Sequence, residues 1–158
     1  MDRTPVAATP SFTTTSVDNT LIALWWGECT RPALEDFGRE LERLSARHPR
    51  GIYVLNVITE ETGMPDNAAR AYLETQFASM RGRLKATAIV LEKRGIMGTL
   101  SRAILNTVLT ISKRPFEMGI VGDRSEGAHW LAPRAAQRSE RLMQALAALV
   151  SRAATRSA

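Results

Sequence analysis

Residues 84–121 carry the pattern that most restricts how this chain can fold. An apolar run (Leu84, Ala86, Ala88, Ile89, Val90, Leu91) stops at Glu92-Lys93-Arg94-Gly95. A weakly charged segment with helical spacing follows, from Ile96 to Ser112. A second apolar run starts at Pro115-Phe116 and ends at Gly122-Asp123. Short apolar runs bounded by turn residues read as buried strands, and a helix between two of them reads as a parallel crossover. A crossover needs a sheet to return to, so an α/β domain is expected.

The rest of the chain supplies that sheet. Ser11 to Val17 is rich in β-favouring residues, Asp18-Asn19 is a turn pair, and Thr20 to Glu28, with Leu21 to Trp26 at its centre, is a strong strand. Together they predict a β-hairpin. Adjacent Trp25 and Trp26 must point to opposite faces of the sheet. Either helices cover both rings, or one ring stands out as an interface anchor. Thr30-Arg31-Pro32 opens a helix, with Thr30 as cap and Pro32 in the first turn. Leu34, Phe37, Leu41 and Leu44 form its apolar stripe, and His48-Pro49 stops it. Gly51 to Ile58 is a near-continuous apolar run, as in a strand buried on both faces. The loop Thr59–Pro65 leads to Asp66 as cap of a second helix, with Ala69, Leu73, Phe77 and Met80 on one face and Gly82 as its stop. After the central crossover, Asp123-Arg124-Ser125 opens a short helical piece. Pro133 interrupts it, and a last helix striped by Leu142, Leu146, Leu149 and Val150 runs to about Ala153.

A hairpin followed by right-handed crossovers gives one mixed, mostly parallel five-stranded sheet with helices. Residues 1–10 are expected as a loose tail, 11–153 as the domain and 154–158 as a frayed end. This order and length resemble a STAS domain, the fold of anti-sigma-factor antagonists. The resemblance rests on element order rather than on a tight motif. It implies a domain that works by docking proteins or holding small ligands. It also implies a phosphorylated serine in an Asp-Ser-Ser-Gly signature after the third strand. The corresponding loop here is Glu60-Glu61-Thr62-Gly63. The resemblance therefore makes Thr62 the candidate phosphoacceptor, where a phosphate would repel Glu60 and Glu61. A plain glycine turn is the alternative reading of that loop.

Charge and composition narrow the function classes. The net charge of +5 is uneven: residues 1–79 hold 7 Lys+Arg against 11 Asp+Glu, and residues 80–158 hold 14 against 5. Such a split can mark an anionic partner, or simply cations at helix C-termini. Glu28, Glu60, Glu61, Lys93, Arg94 and Asp123 should gather at the strand C-terminal edge, where open α/β sheets usually bind ligands. Arg47, Arg50, Arg81, Arg83, Lys85, Lys113 and Arg114 should gather at the opposite edge. No aromatic or groove-entering motif accompanies them, so nucleic acid is not expected as a partner. With Cys29 as the one cysteine, no disulfide forms within the chain, which fits a reducing compartment. Met1 to Ser16 has no apolar core of a signal peptide, and no run reaches the roughly 20 apolar residues of a membrane span. A cytoplasmic protein is expected.

Two stretches are candidates for binding. Lys93, Arg94, Gly95, Gly98 and Thr99 place two cations and two glycines before a helix N-terminus, whose free N–H groups attract anions. They lack the spacing and the Lys-Ser/Thr pair of a Walker A loop. The glycines would equally serve a plain strand-to-helix turn. The central helix carries Arg102 as its one charge between Gly95 and Ser112, and Leu100, Ile104 and Val108 lie on its broad apolar surface. Either the last helix covers that surface, or it docks a partner or a second copy. Catalytic readings are weaker. His48 and His129 are separated, one cysteine and two histidines do not make a structural zinc site, and no nucleophile elbow exists. No cofactor is implied. The sequence thus favours a non-enzymatic, STAS-like regulatory module that binds a protein or itself. The alternative is a small-anion or lipid site at Lys93–Thr99.

Overall fold

The computed structural model describes residues 10–94, 98, 99, 102, 103, 106 and 116–156. Among the described residues, five strands and four helices with both ends described follow in chain order. They are β1 (Phe12–Val17), β2 (Thr20–Trp25), α1 (Arg31–Arg47), β3 (Ile52–Ile58), α2 (Asn67–Ser79), β4 (Leu84–Leu91), β5 (Glu117–Val121), α3 (Arg124–Leu131) and α4 (Ser139–Arg156). The strands form one sheet in the order β1-β2-β3-β4-β5. β1 and β2 are the antiparallel hairpin, turning through Asp18 at a φ of 50°, a conformation that Asp tolerates better than branched residues. The remaining strands pair in parallel, and β4 and β5 lie side by side from Ala86–Glu117 to Val90–Val121.

Handedness decides which face each helix takes. Parallel strands added one after another in the same direction, through right-handed crossovers, place the crossovers on one face. α1 and α2 follow that rule. Leu34, Phe37, Leu41 and Leu44 pack with Leu21, Ala23, Trp25 and Val54, and Ala69 joins them. The other face must be closed by what comes after β5. Ala128 and Leu131 of α3 and Leu142, Leu146 and Leu149 of α4 pack there, on Ile22, Leu24, Leu55, Val57, Ala88 and Val90. The stripe of the last helix is therefore spent on the sheet face opposite the crossovers. Gly98, Thr99, Arg102, Ala103 and Asn106 are helical. The expected contact residues Leu100, Ile104 and Val108 lie outside the described residues, as does Gly95.

Local signals set the boundaries. Thr30, Asp66 and Asp123 each cap a helix, accepting from Ala33 N (3.3 Å), Ala69 N (2.8 Å) and Glu126 N (2.8 Å). Such caps contribute about 1 kcal/mol each. Gly82 takes a φ of 78° just past α2, a left-handed position that costs glycine nothing. α4 starts at Ser139 and continues to Arg156, past the expected boundary at Ala153. Its last turn is made of good helix formers, and Thr155 Oγ1 donates back to Ser151 O at 3.0 Å. Of the expected tail, residues 1–10, Pro10 alone is described.

The two tryptophans divide as the strand period requires. Trp25 is 3% exposed, stacked on Phe12 (centroids 4.6 Å) and edge-on to Phe37 (5.6 Å), which ties the hairpin to α1. Trp26 packs, half-buried, against the cluster on the other face.

Candidate functional site

The site grows out of how loosely α2 sits. Its buried residues are Ala69 and Gln76, while Tyr72, Leu73 and Phe77 stay half-buried. A cavity of about 110 Å³ remains between this helix and the sheet. Val54, Asn56 and Ile58 of β3 and Thr87, Ile89 and Leu91 of β4 form its floor. Leu73, Gln76 and Phe77 roof it, with Leu34, Phe37 and Leu41 of α1 at the side. Trp25, Cys29 and residues 62–65 close the end near the strand C-termini, and Lys93 stands at the rim.

The lining is apolar, and most of its polar atoms are already occupied. Gln76 Nε2 donates to Leu34 O at 2.8 Å, joining α2 to α1. Thr87 Oγ1 donates to Val54 O at 3.2 Å across the β3–β4 ladder. Among the described residues, two side chains of this lining have a buried atom without a hydrogen-bond partner, the indole Nε1 of Trp25 and the amide Oδ1 of Asn56; Gln137 Oε1, on the other side of the sheet, is a third. Such orphans are rare because each forfeits about 1–3 kcal/mol of hydration. The Cys29 thiol is pushed up to about 11 by burial first, then by the charges of Asp66 and Glu28. A thiol with so little thiolate is inert at neutral pH.

The rim carries both signs of charge. Lys93 Nζ donates to Glu60 O at 3.1 Å. The Glu61 carboxyl is held below the usual range, chiefly by its own backbone N–H, then by Thr59. It stays ionised, which makes it a poor general acid. Arg124 is bound by both oxygens of Glu92 at 2.9 Å. Gly63 lies so close to Glu28 that a Cβ there would meet Oε2 at 2.7 Å.

A crystal structure of an uncharacterised protein of the DUF3478 family, from Shewanella loihica PV-4, superposes on this architecture. The match has a TM-score of 0.54 and 19% identity, and it covers 76% of this chain and 91% of that one. That protein is described as having a SpoIIAA-like fold. The fold of this chain is SpoIIAA-like. No protein-family model matches the sequence, and no curated protein does either.

Within this STAS-like frame the predicted site residues fall into separate places. Thr62 is at the expected loop after β3, but it is 4% exposed. Its hydroxyl donates to Trp25 O at 2.9 Å, alongside that of Thr59 at 2.7 Å. As folded, it is a strut between the loop and β2, not an offered hydroxyl. Lys93 faces the cavity rim, and Arg94 is exposed. Gly98 is buried and helical, and a Cβ on it would run into the Lys93 carbonyl. The close turn thus accounts for that glycine without an anion. Thr99 is exposed on the same turn. His48 ends α1 on one side of the sheet. His129 sits on α3 on the other, its Nδ1 2.7 Å from Ser125 O. Among the described residues no acidic, His or Cys group has metal-binding geometry, and no helix is long and apolar enough to cross a membrane.

Sequence reasoning does not single out Asn56 or Cys29 as cavity residues. Asn56 had a signal: it is the one amide in a strand whose neighbours Val54, Leu55, Val57 and Ile58 are all apolar. Cys29 had none, since nothing local says which surface its loop meets.

Proposed function

We propose that this domain is a non-enzymatic binding module for a small, mainly apolar and uncharged molecule, held between α2 and the sheet. The observation that carries the reading is the apolar cavity of about 110 Å³. A dry cavity of about 150 Å³ admits benzene, so this one suits a compact group of about six heavy atoms or fewer. Its position fits the habit of open α/β sheets to bind ligands near the strand C-termini. The mixed charges of the rim favour neither anion nor cation. The half-buried side chains of α2 would let that helix yield as a guest enters. The cavity supports the small-ligand class; protein docking through the central helix would rest on Leu100, Ile104 and Val108, which lie outside the described residues.

The test is a titration of ¹⁵N-labelled protein with benzene and with cyclohexane. Saturable shifts confined to amides of β3, β4 and α2 are expected, and Ile58→Phe should abolish them by filling the space. Shifts that scatter over the surface, or that persist unchanged in a folded Ile58→Phe protein, would count against the cavity as the site.

A further inference from the structure

β1 ends the sheet on one side, so one row of its backbone groups has no strand neighbour among the described residues. The hydrogen bonds flanking the hairpin tell which row. Trp25 O accepts from Thr59 N at 3.2 Å and so points away from β1. Phe12, opposite Trp25, therefore sits in a pair without cross-strand bonds. Trp26 N donates to Ser11 O at 3.0 Å, which sets the same phase. The pattern alternates: Phe12, Thr14 and Ser16 turn their N–H and C=O groups outward, and Thr13, Thr15 and Val17 turn theirs to β2. Edge strands commonly carry a charge, a proline or a bulge that prevents further pairing. β1 has none of these, because it reads Phe-Thr-Thr-Thr-Ser-Val and its register with β2 is unbroken. On β5, the other edge, Glu117 is bound to Arg134 at 2.6 Å.

We propose that a second copy of this chain pairs antiparallel with β1, about a two-fold axis at Thr14, joining two sheets into one. The outward row is its own complement. Thr14 meets Thr14 of the second copy, and Phe12 meets Ser16 in both directions, which makes about six backbone hydrogen bonds. The strand is uncharged, so no like charges oppose each other along it. Sliding the register by two residues loses a pair. It also brings in either Pro10, which has no N–H, or Asp18, whose φ of 50° leaves the strand. Paired residues share a face, so α1 of both copies stays on one side of the joined sheet and α4 on the other. A strand of 6 residues covers less than the interface of a permanent dimer, so the contact is reversible.

The first test is sedimentation velocity of the full chain from about 10 μM to 1 mM, the range of weak interfaces. The mass should climb from 17.4 kDa toward twice that value. Amide exchange then locates the contact. Phe12, Thr14 and Ser16 should become protected only at concentrations that give the dimer, while Thr13, Thr15 and Val17 are protected throughout. Thr14→Pro removes an outward N–H and leaves the β2 ladder whole, and it should weaken self-association by about tenfold or more. Thr14→Lys and Thr14→Glu each put like charges across the axis, so each alone should be a monomer and the mixture should dimerise. That pair keeps the test intact if proline disturbs the fold. A wild-type mass that stays at 17.4 kDa throughout overturns the inference. So does a dimer that forms unchanged in folded Thr14→Lys, since the copies then meet elsewhere. Protection of Phe12, Thr14 and Ser16 at every concentration in a monomer overturns it too, because the same chain then covers its own edge.

Discussion

The Trp25 carbonyl is the point where the Thr59–Pro65 loop is fastened to the sheet, and replacing Thr62 tests that fastening. Trp25 O accepts from Thr59 Oγ1 (2.7 Å), Thr62 Oγ1 (2.9 Å) and Thr59 N (3.2 Å). Thr62→Val keeps the side-chain shape and removes one of these donors. The carbonyl still has the other two, so nothing is orphaned, and the loss is that of one hydrogen bond, about 1 kcal/mol. In a domain of this size that lowers the melting temperature by about 3 °C. Thr62→Glu is a different perturbation. It forces a carboxylate into a position 4% exposed, next to Glu61 and Glu60. Burying an uncompensated charge costs several kcal/mol, about 3 or more, so the drop should approach 10 °C or the loop should open. Differential scanning calorimetry measures both variants, and amide exchange at Gly63 reads the opening. Equal melting temperatures for the valine and glutamate variants would refute the burial of Thr62 and restore it as an accessible phosphoacceptor.

Other consequences are open to direct measurement. Leu146→Ala, at a site 2% exposed on the α4 face, should cost about 2–5 kcal/mol in a urea melt. Alkylation of Cys29 at pH 8 should be about a hundredfold slower in the folded than in the unfolded chain, because its thiol titrates near 11 instead of 9.0. The same shift sets a pH dependence. The unfolded chain loses this proton first, so the contribution is whole below about pH 9 and is lost between there and pH 11. Glu42→Gln should cost at most about 1 kcal/mol at pH 7, since the Glu42–Arg83 pair is exposed. The hydrogen bond from Arg83 lowers the Glu42 carboxyl. Its small contribution is therefore present above the usual carboxylate range and should vanish on acidification.

The sheet was readable from the sequence because its signals are local. Alternation and a turn pair mark the hairpin, apolar runs mark β3 and β4, and capping residues mark the helix starts. The site was less readable because it depends on a mismatch between elements. α2 has the apolar residues to pack, yet Leu73 and Phe77 do not reach the floor made by Asn56 and Ile89. No periodicity encodes a gap of that kind. Thr62 illustrates the same limit. Its place in the chain makes it look like a modifiable hydroxyl, but a contact with Trp25, 37 positions away, turns it inward.

The seam between the β1–β2 hairpin and α4 bears on how the molecule is made. Arg141 reaches Asp18 at 2.7 Å, and Gln137 donates to Val17 O, 120 positions earlier, at 2.9 Å. The β1–β2 hairpin is thus fastened by α4 and a residue just before it, both made well after the hairpin. Before α4 is made Ile22 and Leu24 lack its cover, so a chain cut before Ser139 should be sticky during synthesis, and the first turn of α4 acts as the latch on the hairpin.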